Sequence, residues 1–258
     1  MRLAQMTFAF SALLVAASSQ AAPTADPSTP IAKDGQASVL LLADEFNAGQ
    51  LDRSKWNVEG PDFWVNNEQQ AYVDTPETIR LLPAGSVDGA DGGVLALQPN
   101  FSKGYKTTNG RTADFVSGRI DSQGKFDFTH GRAVALHGKG YSGETPSVDK
   151  QFFPDGADVT QWHEYSVDWT SDQILFKVDG RLTYRATRAM VEHYGKWNFD
   201  NATYVILNFA LGGAYPFKTN GIKEPYQGVS AATVEKIKRG EVAMWVDWLR
   251  VYGSEPKR

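Results

Sequence analysis

The chain has 258 residues, a formal net charge of −4 with acidic and basic residues interspersed, and no cysteine. That pattern offers nucleic acid or an anionic membrane no electrostatic handle. The absence of cysteine excludes disulfide staples, thiol chemistry and cysteine-based metal sites. Aromatic residues make up 12% of the chain, with seven Trp and ten Tyr. Flat rings suit both a β core and a platform for pyranose faces, and strand preference alone accounts for the enrichment.

The N-terminal stretch reads as a targeting segment. Arg2 is followed by an apolar run from Met6 to Ala17 and by Ser19-Gln20-Ala21, a small-residue cleavage pattern. The run is shorter than the roughly 20 residues that a membrane span requires. The expectation is a signal peptide over 1–21, secretion or periplasmic export, and no membrane association after cleavage. Residues 22–37, rich in Ala, Pro, Asp and Ser without periodicity, read as a disordered linker. Residues 38–258 remain as one domain, long enough for a sizeable core.

Within that domain strand signals dominate. Val39 to Leu42 is an apolar run ending at Asp44, and Val94, Leu95 and Leu97 form another after a Gly-rich turn. His163, Tyr165, Val167 and Trp169 alternate with Glu164, Ser166 and Asp168, which predicts one apolar and one solvated polar strand face. Asp179-Gly180 between the alternating runs Ile174–Val178 and Leu182–Tyr184 predicts a tight hairpin, because both turn positions need φ > 0. Tyr204 to Leu211 is almost wholly apolar around Asn208, as in a strand buried on both faces. Val242 to Tyr252 is similar, interrupted by Trp245, Asp247 and Arg250. Ser230 as N-cap and Gly240 just past the end mark Ala231 to Arg239 as the one late helix. Many short strands with Gly and Asn turns predict an all-β sandwich of two antiparallel sheets.

Six segments in order resemble the bacterial laminarinase and β-glucanase branch of glycoside hydrolase family 16: "DEFNAGQLDRSKWNVE", "FWVNNEQQAYVD", "SGRIDSQGKFDFTHGR", "WHEYSVDWTSDQILFKVDGRLTY", "YVILNFALGG" and "VDWLRVY". The resemblance covers nearly all of 38–258. It implies a β-jelly roll whose concave sheet forms an open cleft for an extended β-glucan. It also implies cleft residues: Trp64, Asn66, Arg119 reaching sugar hydroxyls, and His137. Asn208 needs a partner for its amide, either within the sheet or in the cleft.

The chain departs from that family in "FTHGRAVALHGKGYSG", residues 128–143. Members of the family carry a catalytic strand with E-x-D-x-x-E between segments like these two halves. Here the halves are almost contiguous, and no two of the thirty Asp and Glu are separated by a single residue. The catalytic residues are therefore unassigned, the concave sheet is expected to be incomplete, and hydrolysis is expected to be lost. Retaining chemistry needs two carboxylates about 5–5.5 Å apart. Glu164 with Asp168 is the remaining same-face pair, and a solvated strand face explains it more simply. Asp44 and Glu45 are adjacent and point to opposite faces. No cofactor is required. The resemblance implies a structural calcium at Glu45, Gly93 and Asp247, although three positions so dispersed are weak support for a metal. A non-catalytic glucan-binding module and a hydrolase using Glu164 and Asp168 stand as alternatives. The sequence leaves oligomeric state and glucan linkage open.

Overall fold

The computed structural model describes Ala4–Gln5, residues 39–132 and residues 160–253. The expected linker, His137 and the junction after Arg132 lie outside the described residues, as does all but Ala4–Gln5 of the expected signal peptide.

One layer is a six-stranded sheet ordered Arg181–Thr187, Gln173–Val178, Tyr165–Trp169, Gly131–Arg132, Leu249–Gly253 and Val39–Asp44. All its pairings are antiparallel. The hairpin at its edge closes as the sequence predicts, with Asp179 at φ 50° and Gly180 at φ 73°.

Among the described residues the remaining strands form three three-stranded groups and one two-stranded pair. One group is Ile206–Asn208, Arg119–Asp121 and Asn57–Val58; another is Gln70–Tyr72, Thr112–Ser117 and Asn100–Lys106. Gly118 lies between them, where a Cβ would meet the Thr78 carbonyl oxygen at 2.6 Å. Hydrogen bonds run on across the break, from Phe209 N to Gly118 O and from Val73 N to Ser117 O. The third group joins Met244–Val246, Val94–Leu97 and Ile79–Leu82. Two short pairings are parallel: Gln70–Tyr72 with Thr112–Ser117, and Ala4–Gln5 with Thr203–Tyr204.

One apolar cluster lies between the layers and includes Phe46, Trp56, Leu95, Phe115, Trp169, Ile174, Phe209 and Val251. The indole N–H of fully buried Trp56 donates to Asp44 Oδ2 at 2.7 Å, so Asp44 serves the core. Helix Ala231–Lys238 starts at Ser230, whose hydroxyl accepts from Thr233 N, and ends before Gly240 at φ 71°. Two shorter helices, Arg188–Glu192 and Ala214–Asn220, were not expected. Pro216 falls in the first turn of Ala214–Asn220, where proline is tolerated. No described helix is long and apolar enough to cross a membrane.

The polar face of Tyr165–Trp169 is not solvated, contrary to expectation. Ser166 and Asp168 are buried. Neighbouring strands set Lys177 opposite Ser166 and Arg132 opposite Asp168 on that face. Lys177 donates to Asp168, while Arg132 donates to Glu164 and to Ser166. Alternation predicts which residues share a face, whereas the long cations of adjoining strands decide whether water reaches it.

Candidate binding cleft

The second cleft segment folds back on itself at two asparagines, Asn66 (φ 55°) and Asn67 (φ 54°), residues that tolerate the left-handed region. The Asn66 carbonyl accepts from Ala214 N at 2.8 Å. A Cβ on Gly213 would sit 2.4 Å from that oxygen, so the contact requires glycine there. Trp64 is 46% exposed, and its indole N–H donates to the Glu68 carbonyl at 2.7 Å, fixing the ring at the rim. The Arg111 guanidinium lies over the Trp64 ring at 5.5 Å.

Behind this rim, Glu68, Gln70 and Tyr72 follow at every second residue and share one face of the extended chain. Asn208 donates to the Tyr72 oxygen at 2.8 Å, and Tyr72 donates to Glu68 Oε2 at 3.2 Å. Gln70 donates to the same carboxylate oxygen at 2.9 Å. Burial raises the Glu68 carboxyl above the usual range, opposed by hydrogen bonds from Gln70, Tyr72 and Asn66 and by the Arg119 charge. Tyr72 is pushed upward as well, first by burial and then by Glu68.

Arg119 sits opposite Asn208 on paired strands and is 1% exposed. Its guanidinium carbon lies 4.2 Å from the Phe63 ring centroid and 5.8 Å from that of Tyr72. Its Nε is 3.8 Å from Glu59 Oε2, an ion pair too long for a hydrogen bond. Arg119 Nε and Nη1 and Asn208 Oδ1 are buried without hydrogen-bond partners among the described residues.

Of the five positions read from the sequence as substrate-binding, Trp64, Asn66, Arg119 and Asn208 lie near one another, and His137 lies outside the described residues. Phe63, Glu68 and Tyr72 were missed, although the spacing of Glu68, Gln70 and Tyr72 carried a strand signal. Glu164 and Asp168 lie instead on the six-stranded sheet, each holding a cation. At the positions read for calcium, Asp247 accepts from Asp91 N and Gly92 N, and Gly93 N donates to Asn47 Oδ1. Their oxygens fit a cation poorly, because Arg250 takes both carboxylate oxygens of Glu45 and backbone N–H groups take both of Asp247. Among the described residues no three His, Asp or Glu cluster as metal ligands.

The model of "Glycosyl hydrolases family 16" matches residues 124–223. Glucan endo-1,3-beta-glucosidase A1 of Niallia circulans is 24% identical over an alignment that uses 84% of this chain but only 38% of the relative. Its 280 positions exceed this chain's length, so the relative carries residues with no counterpart here. Beta-1,3-glucan-binding protein 1 of Manduca sexta is 24% identical over 40% of this chain and 27% of its own length. The fold is shared with the endo-beta-1,3-glucanase of Pyrococcus furiosus, at a TM-score of 0.65 and 21% identity over 86% of this chain and 96% of that one.

Proposed function

Because the chain is related to the laminarinases of glycosyl hydrolase family 16, we propose that it is an exported β-glucan-binding protein on a laminarinase scaffold that no longer hydrolyses its ligand. The observation that carries this reading is the cleft cluster. Its aromatic rim at Trp64 and its polar floor of Asn66, Tyr72, Arg119 and Asn208 suit stacking and hydrogen bonding to a sugar. Its hydrogen bonds converge on one buried carboxylate, Glu68, whereas retaining hydrolysis uses two.

Binding needs neither a nucleophile nor a general acid. A pyranose ring packs its C–H face on an indole, and its hydroxyls satisfy buried donors and acceptors. The acid/base step alone contributes about 10²–10⁴-fold to turnover, so a cluster that lacks a catalytic carboxylate pair retains affinity without useful rate. The missing E-x-D pattern supports loss of the catalytic segment.

Affinity electrophoresis of the purified protein in gels containing laminarin or mixed-linkage β-glucan tests the reading. Retarded migration is expected, with no reducing ends released over long incubation. Trp64→Ala should weaken retention about tenfold, a loss of about 1.4 kcal/mol, without lowering the thermal midpoint. Absence of retention on any β-glucan would overturn the proposal.

A further inference from the structure

A second aromatic surface lies away from the cleft. Trp245 is 49% exposed, and its ring centroid is 6.4 Å from that of part-exposed Trp162, with the ring planes 35° apart. Single exposed apolar residues need no explanation, whereas neighbouring indoles that share a surface call for one. Both rings are held in place. Trp162 donates its ring N–H to the Asp88 carbonyl at 3.0 Å. The loop bearing Asp88 is tied down in turn, because Asp91 N and Gly92 N donate to Asp247, two residues after Trp245.

Trp245 pairs with Ala96, which pairs with Arg80 on the next strand, so the three share one face of their sheet. The flanking Met244, Val246, Leu95, Leu97, Ile79 and Leu81 turn the other way, into the core. On the cleft sheet, Gly118 and Ile120 mark the core side and Arg119 the opposite one. A Cβ on Gly118 would meet Ile79 Cγ1 at 2.8 Å and Leu97 Cδ2 at 3.0 Å, so the two sheets face each other there. Trp245 and Arg119 therefore point away from the core on opposite sides of it.

Resting on the β-glucan reading above, we propose that Trp162 and Trp245 form a second platform for an uncharged β-glucan chain, behind the cleft. Indole faces take the C–H faces of pyranose rings, and the exposed side chains of Arg80 and Asp88 supply a donor and an acceptor for hydroxyls. The charges beside the rings are Asp88, Asp91 and Asp247 against Arg80. That acidic balance opposes anionic polymers and leaves a neutral sugar chain as the matching ligand. Two sites on opposite sides of the core cannot share one short oligosaccharide. They can hold separate strands of a polysaccharide, so the platform adds avidity on polymer without any contact to the cleft.

Titration of the isotopically labelled full chain with a laminarin oligosaccharide, followed by NMR through the indole N–H signals, distinguishes the outcomes. The Trp162 and Trp245 signals should move, with the same midpoint in Trp64→Ala as in wild type. On gels containing polymeric laminarin, Trp245→Ala should lower retention about tenfold. Trp245→Tyr, which keeps a flat ring, should restore most of it and provides a second variant should the first misfold. A response at Trp64 with both platform signals still would overturn the platform and leave the cleft reading intact. Sedimentation showing a dimer that Trp245→Ala dissociates, with no sugar response at either ring, would also overturn it, since the surface would then join two copies of the chain. If no indole responds to any β-glucan, the glucan reading falls and this proposal with it.

Discussion

Arg119 and Asn208 face one another across antiparallel strands, and both hold buried polar atoms that no described residue satisfies. Asn208 spends its amide N–H on Tyr72, which passes a hydrogen bond to Glu68. Asn208, Tyr72 and Glu68 therefore form one connected hydrogen-bond network. Such networks rigidify when fully satisfied and are costly when they are not.

Turnover provides the first test of the functional reading. Incubation with laminarin or mixed-linkage glucan should release no reducing ends above background. Glu164→Gln and Asp168→Asn should leave glucan retention unchanged, because those carboxylates hold Arg132 and Lys177 away from the cleft cluster. Release of oligosaccharides that either substitution stops would relocate the active site to the six-stranded sheet.

Glu68 should leave a signature in the pH dependence of stability. Its carboxyl is raised in the folded state, mainly by burial. Between the ordinary and the raised value the folded state holds more protons than the unfolded state, so stability falls as pH rises through that interval. Below it, both states are protonated and the penalty vanishes. Glu68→Gln removes this titration. Thermal midpoints measured across the acidic to neutral range should therefore show wild type losing ground to the variant as pH rises, and parallel curves would contradict the assignment.

Asp44 offers a test of the core. It accepts the Trp56 indole N–H at 2.7 Å and the Phe46 amide at 3.0 Å. Asp44→Ala leaves both donors buried and unsatisfied, at about 1–3 kcal/mol each. Asp44→Asn keeps one acceptor oxygen and should cost less. Urea denaturation should rank wild type, Asn and Ala in that order.

Whole-domain stability is the fourth expectation. If a strand segment is absent after Arg132, the neighbouring backbone groups have fewer partners, against a typical total of roughly 5–15 kcal/mol. A thermal midpoint in or below the range of about 45–65 °C is expected for the purified protein. Calorimetry showing a sharp transition well above it would count against an incomplete sheet.

The elements were largely legible in the linear chain, since they rest on local chemistry. Asp179-Gly180 turns because only permissive residues take positive φ in succession, and Ser230 caps a helix because its hydroxyl reaches Thr233 N. The run through Asn208 is buried on both faces, as its apolar pattern predicts. Trp64, Asn66, Arg119 and Asn208, named from segments that resemble one family in order, fall in one neighbourhood of the structure. What the tertiary structure alone decided is which groups meet. The two-residue period marks Glu164 and Asp168 as a polar face, but Arg132 and Lys177 arrive from other strands to cover it. The same period sets Glu68, Gln70 and Tyr72 on one side, yet their link to Asn208 spans a sequence separation of 136 residues. Phe63 over Arg119 has no signature in the chain at all. Local patterns report turn and face preferences of single segments, whereas burial, pairing and an orphaned guanidinium are properties of the packing between them.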